Sequence, residues 1–412
     1  MSSFLSSLTG ASGKSKALSQ NDNDVVIVSA VRSAITKGRK GGFKDTKPEE
    51  ILSEVLRAVY TKVNLDPSLI EDVSVGNVLP PGGGASAARM AALAAGIPNT
   101  SSINTVNRQC SSGLTSVTQI ANQIAVGQID IGIGAGVESM TNGFGPKAAP
   151  AEYSEKVLAC QEAEDCLIPM GITSENVAAE YGITRQAQDE FAAKSFQKAA
   201  AAQKAGKFKD EIVPIRVKFV DPKTEKETEI VVDHDDGVRD GVTAQSLAKL
   251  KPAFAENGTT HAGNASQVSD GAAAVLLTRR SVAKRLGLPI VGKFVSSAVV
   301  GVPPRIMGVG PAFAIPKLLE KTGVSKDEVD FYEINEAFAS QAIYSVQTIG
   351  IPFEKVNING GAIAIGHPLG CTGSRQIATG LNIAKQTGGK LFVTSMCIGS
   401  GMGMAALFVS EQ

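Results

Sequence analysis

The chain has 412 residues, 43% of them hydrophobic and 19% charged, a globular composition and a length for two core-bearing units at roughly 100–200 residues each. Forty basic residues offset forty acidic ones, which argues against a general affinity for nucleic acid or an anionic membrane. Trp is absent and aromatics are only 5%, a poor supply for base-stacking platforms; no apolar run approaches the ~18–20 residues that span a bilayer.

The first twenty residues are rich in Ser, carry Lys14 and Lys16, and have no acid before Asp22. They read as a disordered tail or weak targeting segment over residues 1–23. Val25 to Ala30 is a β-branched run that predicts a buried strand. Ile51, Leu52, Val55, Leu56 and Val59 then recur at helical spacing. Asp72 to Asn77 reads as a second strand. Leu114, Val117, Ile120, Ala121 and Ile124 mark one helix face, and Ile129 to Gly136 a further strand. This alternation predicts a parallel sheet covered on both faces.

The same order returns near the C-terminus. Asp330 to Asn335 matches Asp72 to Asn77, Ser374 to Ala384 matches the helix after Gly113, and Leu391 to Met396 matches the strand at Ile129. The offset is nearly constant, which predicts a duplicated α/β unit. Residues from about 141 to 270 interrupt the repeat. They contain a helical stretch from Ala187 to Ala200 and a charged segment, Asp221 to Glu229, expected as an exposed hairpin or loop. An insertion of this size suits a substrate site built over a scaffold.

Five scattered cysteines with no Cys-x-x-Cys pair read neither as a disulfide framework nor as a structural zinc site. One of them, Cys110, stands in Asn107-Arg-Gln-Cys110-Ser-Ser-Gly, immediately before a predicted helix. A helix N-terminus lowers a thiol pKa, so Cys110 is the candidate nucleophile. The chain has three histidines. His367, in Gly366-His367-Pro368, follows a Gly-rich segment and is the candidate base. His234 lies among Asp233, Asp235 and Asp236 and reads as a solvated surface residue. His261 could face a ligand. Cys397, at the end of an apolar strand and before Gly399 and Gly401, could exchange protons with carbon. Asn335, in Asn335-Glu-Ala-Phe338, could donate to an oxyanion through a held water. Together these are the parts needed to move an acyl group and make or break a carbon–carbon bond.

Those four motifs, which stand along the chain in the order Cys110, Asn335, His367 and Cys397, closely resemble the thiolase family over about Val25 to the C-terminus. Cys166-Leu-Ile-Pro-Met-Gly and Gly301-Val-Pro-Pro are similar to its eukaryotic peroxisomal 3-ketoacyl-CoA members, fungal ones in particular. The resemblance implies an α/β thiolase fold, with two duplicated βαβαβαββ halves in a layered αβαβα arrangement. It implies a first half at 24–280, carrying the insertion at about 141–270, and a second half at 281–412. The implied reaction is thiolytic cleavage of a 3-ketoacyl-CoA by coenzyme A, as in fatty acid β-oxidation. Cys110, His367, Cys397 and Asn335 would be catalytic, and the N–H groups of Cys110 and Gly399 would form an oxyanion hole. Arg239 and Ser266 would contact coenzyme A, and Met170 and Phe338 would line the acyl side. The family further implies acyl-CoA and coenzyme A as substrates, no resident cofactor or metal, a homodimer, and a peroxisomal location. An acetoacetyl-CoA thiolase is the alternative, and a catalytically inactive scaffold or lipid carrier the less favoured one.

Overall fold

A computed structural model describes residues 12–145 and 152–412 of the chain. Its thirteen strands are β1 (Val25–Ser33), β2 (Thr36–Lys37), β3 (Asp72–Gly76), β4 (Ser102–Val106), β5 (Ile131–Ser139), β6 (Ile212–Val213), β7 (Ile215–Val220), β8 (Glu227–Val232), β9 (Ser269–Arg279), β10 (Gly292–Gly301), β11 (Phe331–Ile334), β12 (Leu391–Ile398) and β13 (Met402–Ser410). The expected repeat is present in the connectivity. In the first half the order is β1-β9-β5-β3-β4. In the second it is β10-β13-β12-β11, continued by a parallel bridge between Tyr332 and Val356. These are the same topology twice, and the halves meet where β1 and β10 pair antiparallel.

The sheets are mixed rather than parallel, contrary to the expectation from alternating elements. Strands β3, β4 and β5 are parallel to one another, but β9 runs antiparallel between β5 and β1. After the insertion the chain re-enters at the end of the sheet where β5 left it, and a short turn leads β12 into β13, so β9 and its counterpart β13 each run antiparallel to the strand before.

Residues alternate across the sheets as pleating requires. In β12, Leu391 and Val393 face one core while Phe392, Met396 and Ile398 face another. In β1, Val26 and Val28 face outward helices and Val25 and Ile27 the centre. The central core holds two helices, Ser112–Ala125 and Thr372–Thr387, packed against strands of both halves. Helices Pro48–Thr61 and Gly310–Thr322 cover the outer faces. The result is five alternating layers.

The two central helices touch backbone to backbone. A Cβ on Gly373 would lie 2.2 Å from the Leu114 amide nitrogen, and one on Gly113 would lie 2.6 Å from the Gly370 carbonyl oxygen. Only glycine permits this approach, and it brings the N-terminal turns of both helices to one place.

The insertion between β5 and β9 contains the helix Arg185–Lys204 and the exposed β7–β8 hairpin, as the sequence predicts. It is anchored through Arg32, which is fully buried in β1. Nε of Arg32 donates to Glu211 at 2.6 Å, and its Nη atoms donate to Asp235 at 2.7 and 2.8 Å. Asp235 accepts from the Ile35 N–H, and Glu211 from Thr379 and Asn382.

Ordered structure also reaches upstream of residue 24, contrary to the expected tail. Residues 1–11 of that segment lie outside the described part. Gly13–Leu18 form a helix whose Ala17 is buried in the core of the second half. Lys293 donates to the Ser19 carbonyl and Gln20 to Glu411, which ties the segment to β10 and the C-terminus.

Candidate active site

Cys110 lies in a tight turn between β4 and the helix Ser112–Ala125. The Asn107 side chain accepts from the Gln109 N–H at 2.9 Å, and Ser112 Oγ donates to the Gln109 carbonyl at 2.7 Å. These bonds hold Gln109 at φ 47°, a left-handed conformation that non-glycine residues adopt at a cost. The turn sets Cys110 opposite the loop after β12, where a Cβ on Gly399 would lie 3.7 Å from the Gln109 side chain, and the N–H groups of Gly399 and of Cys110 itself favour the thiolate.

The thiol is not depressed, contrary to the helix-terminus argument. Burial pushes Cys110 up to about 11, outweighing those two N–H groups, and the carboxyl of Glu138 adds repulsion. The helix field acts over a short range, whereas desolvation penalises the thiolate directly. Cys397 is fully buried; burial pushes it well up, and the nearby Cys110 thiol further disfavours its ionisation. It packs with Ala265, Met307, Ala337 and Phe338. All five cysteines are free.

His367 is buried between two neutral partners. Its Nε2 is 3.2 Å from Asn335 Nδ2, and its Nδ1 is 2.6 Å from Thr372 Oγ1. Burial, helped by the positive charge of Arg375, lowers its pKa to about 3, so the imidazole is neutral at physiological pH. Its backbone is pinned by the insertion: the His367 N–H donates to the Gln267 carbonyl at 3.2 Å. Asn335 follows β11 with its N–H on the Ser395 carbonyl at 2.8 Å, and its own carbonyl accepts from Gln341.

The remaining expected residues are dispersed. Ser266 is tied to the site, its N–H donating to the Ala337 carbonyl at 2.9 Å. Phe338 is buried beside Cys397, and its ring meets Phe254 edge-on at 6.4 Å. Met170 is partly exposed and opens the helix Met170–Glu180, whose Gly171 backs onto the Phe254 ring. Arg239 is exposed, its guanidinium 4.6 Å above the Phe196 ring. His234 is exposed and pairs with Asp233. His261 does not face a ligand: it is fully buried, with Nε2 on Asp189 at 2.7 Å and Nδ1 accepting from the Gly263 N–H. Among the described residues, no cluster of three or more His, Cys, Asp or Glu side chains could hold a metal.

One buried acid is not anticipated from the sequence. Glu138, near the end of β5, accepts from the Gly370 N–H at 2.9 Å and the Leu79 N–H at 3.2 Å. An acid at the end of an otherwise apolar strand was the available signal. Burial pushes its carboxyl from 4.5 up to about 7. The folded state therefore holds this proton longer than the unfolded chain. The resulting stability is complete below about pH 4.5 and lost as pH rises through about 7. Glu138→Gln removes this dependence. The Tm of the variant minus that of the wild type should climb between pH 4.5 and 7, by up to about 1.4 kcal/mol of stability per pH unit. A Tm difference that stays constant over that range would reject the assignment.

The layered fold and its paired thiols define the class: the chain belongs to the thiolase family. Residues 25–281 match "Thiolase, N-terminal domain" and residues 288–410 match "Thiolase, C-terminal domain". The chain is 58% identical to a protein named 3-ketoacyl-CoA thiolase, peroxisomal, from Yarrowia lipolytica, over 97% of this chain and 96% of that one. The solved structure of the dimeric peroxisomal thiolase of Saccharomyces cerevisiae superposes with a TM-score of 0.89 at 52% identity, covering 96% of this chain and 100% of that one. An acetyl-CoA acetyltransferase of Bacillus anthracis superposes with a TM-score of 0.85 at 37% identity, over 94% and 98% of the respective chains.

Proposed function

We propose that this protein is a 3-ketoacyl-CoA thiolase that cleaves its substrate with coenzyme A in fatty acid β-oxidation. The observation that carries the reading is the meeting of the Cys110 turn in the first half with the Gly399 loop after Cys397 in the second, Gly399 lying against Gln109. In this reading the Cys110 proton passes to Nε2 of His367 as sulfur bonds to the 3-keto carbon. The C2–C3 bond then breaks, and its electron pair leaves on the acetyl-CoA carbon. Cys397 protonates that carbon. The Cys397 thiolate takes the proton of incoming coenzyme A, whose sulfur displaces Cys110 from the acyl group. Cys110 recovers its proton from His367.

The environment suits these roles. A thiol held far above neutrality is a proton donor at rest and a strong base once ionised, as exchange with carbon demands. A neutral Cys110 and a neutral His367 form no ion pair before substrate arrives, so the proton moves during attack. The N–H groups of Cys110 and Gly399 are assigned to the oxyanion hole, where two preorganised donors would stabilise the developing charge. Asn335 at His367 can hold a water for the second oxyanion. Ser266 and Arg239 on the insertion are assigned to coenzyme A, and Met170 and Phe338 to the acyl chain.

The reading divides the chain into halves 24–280 and 281–412, with coenzyme A a substrate rather than a resident cofactor. It assigns the protein to the peroxisome, as the names of its relatives do for them. It makes the molecule a homodimer joined through the half-exposed edge strand β4. Loss of 3-ketoacyl-CoA absorbance on adding coenzyme A tests it. Efficient cleavage of a long-chain substrate is expected. Turnover of acetoacetyl-CoA alone would move the protein to the second reading, which its likeness to the bacterial acetyltransferase keeps in view.

A further inference from the structure

We propose that Thr372 is a positioning residue that fixes the tautomer of His367, leaving Nε2 bare to receive the Cys110 proton. The proposal rests on the thiolase reading above.

Thr372 is the first residue of the second central helix and is fully buried. Its Oγ1 has two neighbours: the Pro368 carbonyl oxygen at 3.0 Å and His367 Nδ1 at 2.6 Å. A hydroxyl carries one proton and two lone pairs. Donated to the Pro368 carbonyl, that proton leaves Oγ1 to accept from Nδ1–H. The imidazole then presents an unprotonated Nε2, which meets an N–H of the Asn335 amide at 3.2 Å.

At Nδ1 this arrangement serves both protonation states of the ring. When Nε2 takes the thiol proton, Nδ1 must carry one as well. A group able only to donate would then repel it. Thr372 still accepts, because its own proton has the Pro368 carbonyl as an outlet.

The choice of a hydroxyl has a consequence. A carboxylate at Nδ1 would stabilise the imidazolium and hold the proton there. Both hydrogen-bond partners of His367 are neutral, and the charge that acts on it is the cationic Arg375. The proton is thus held briefly and handed back when Cys110 departs.

The chain has only three histidines, so ¹⁵N-histidine labelling gives a spectrum that His367→Gln assigns. His367 is expected to show a protonated Nδ1 and a bare Nε2. Thr372→Val is expected to lower kcat by roughly 10- to 100-fold with KM within about twofold, as for loss of other groups that orient a functional histidine. Thr372→Ser should recover most of the rate. A proton on Nε2 in the wild type, or a Thr372→Val enzyme with unchanged kcat, overturns the proposal. Should the valine variant not fold, the wild-type spectrum decides by itself. Absence of thiolysis in the wild type would sink the functional reading, while the spectrum would still decide the tautomer.

Discussion

Cys110→Ala should abolish thiolysis, lowering kcat by at least about 10⁴-fold, as removal of a nucleophile does in enzymes with an acyl intermediate. The effect is large because no other group in the site can take its place. Cys397 is fully buried and packed among Met307, Ala337 and Phe338, and the N–H groups assigned to the oxyanion hole belong to Cys110 itself and to Gly399 opposite its turn. The fold should survive. The turn is held by bonds among Asn107, Arg108, Gln109 and Ser112, none of which uses the thiol. Mass spectrometry after mixing with a 3-ketoacyl-CoA gives the direct reading. Wild-type protein should gain the mass of an acyl group and the variant should not. An adduct that persists in Cys110→Ala would assign the nucleophile to another side chain.

Arg32→Ala should destabilise the fold by about 3–5 kcal/mol, the usual cost of stripping one partner from a buried ion pair. Arg32 is fully buried and is shared by Glu211 and Asp235, themselves buried. Without it, two carboxylates remain in the core, of which Glu211 is bonded to Thr379 and Asn382 on the helix Thr372–Thr387. Arg32→Lys should recover only part of the loss, because an ammonium cannot reproduce the two-pronged contact with Asp235. Urea denaturation of both variants checks both points. A loss below about 1 kcal/mol, the range of exposed ion pairs, would contradict the network's role.

The sequence is most readable where local pattern and tertiary need coincide. The apolar spacing of Ile51, Leu52, Val55, Leu56 and Val59 becomes a helix with all five buried. The repeated Asp-led strands become β3 and β11 in equivalent places. Strand direction is not readable, since β9 and β13 look like any buried strand and only the return path reverses them. The motif residues stand out because their types are chemically marked. Thr372 and Glu138 do not, because their importance lies in a partner distant in space or hidden by a turn. The ionisation of Cys110 departs from expectation for a related reason: a helix start is visible in sequence, but the depth of burial around it is not. The expectation that His261 faces a ligand fails similarly, because its partner Asp189 lies 72 positions away.

The backbone contact between the two central helices also bears on how such a chain could have arisen. Ser112 and Thr372 open them at equivalent points of the repeat, which makes Gly370 the counterpart of Cys110 and Asn107 the counterpart of His367. A perfectly repeated ancestor would have faced itself across that contact with identical turns. In the present chain the symmetry of the scaffold is kept and its chemistry is divided. One copy carries sulfur at the turn, and the other carries imidazole five residues before the equivalent helix. Neither half carries the full set of groups proposed to react, so the two are joined by a division of labour as firmly as by packing.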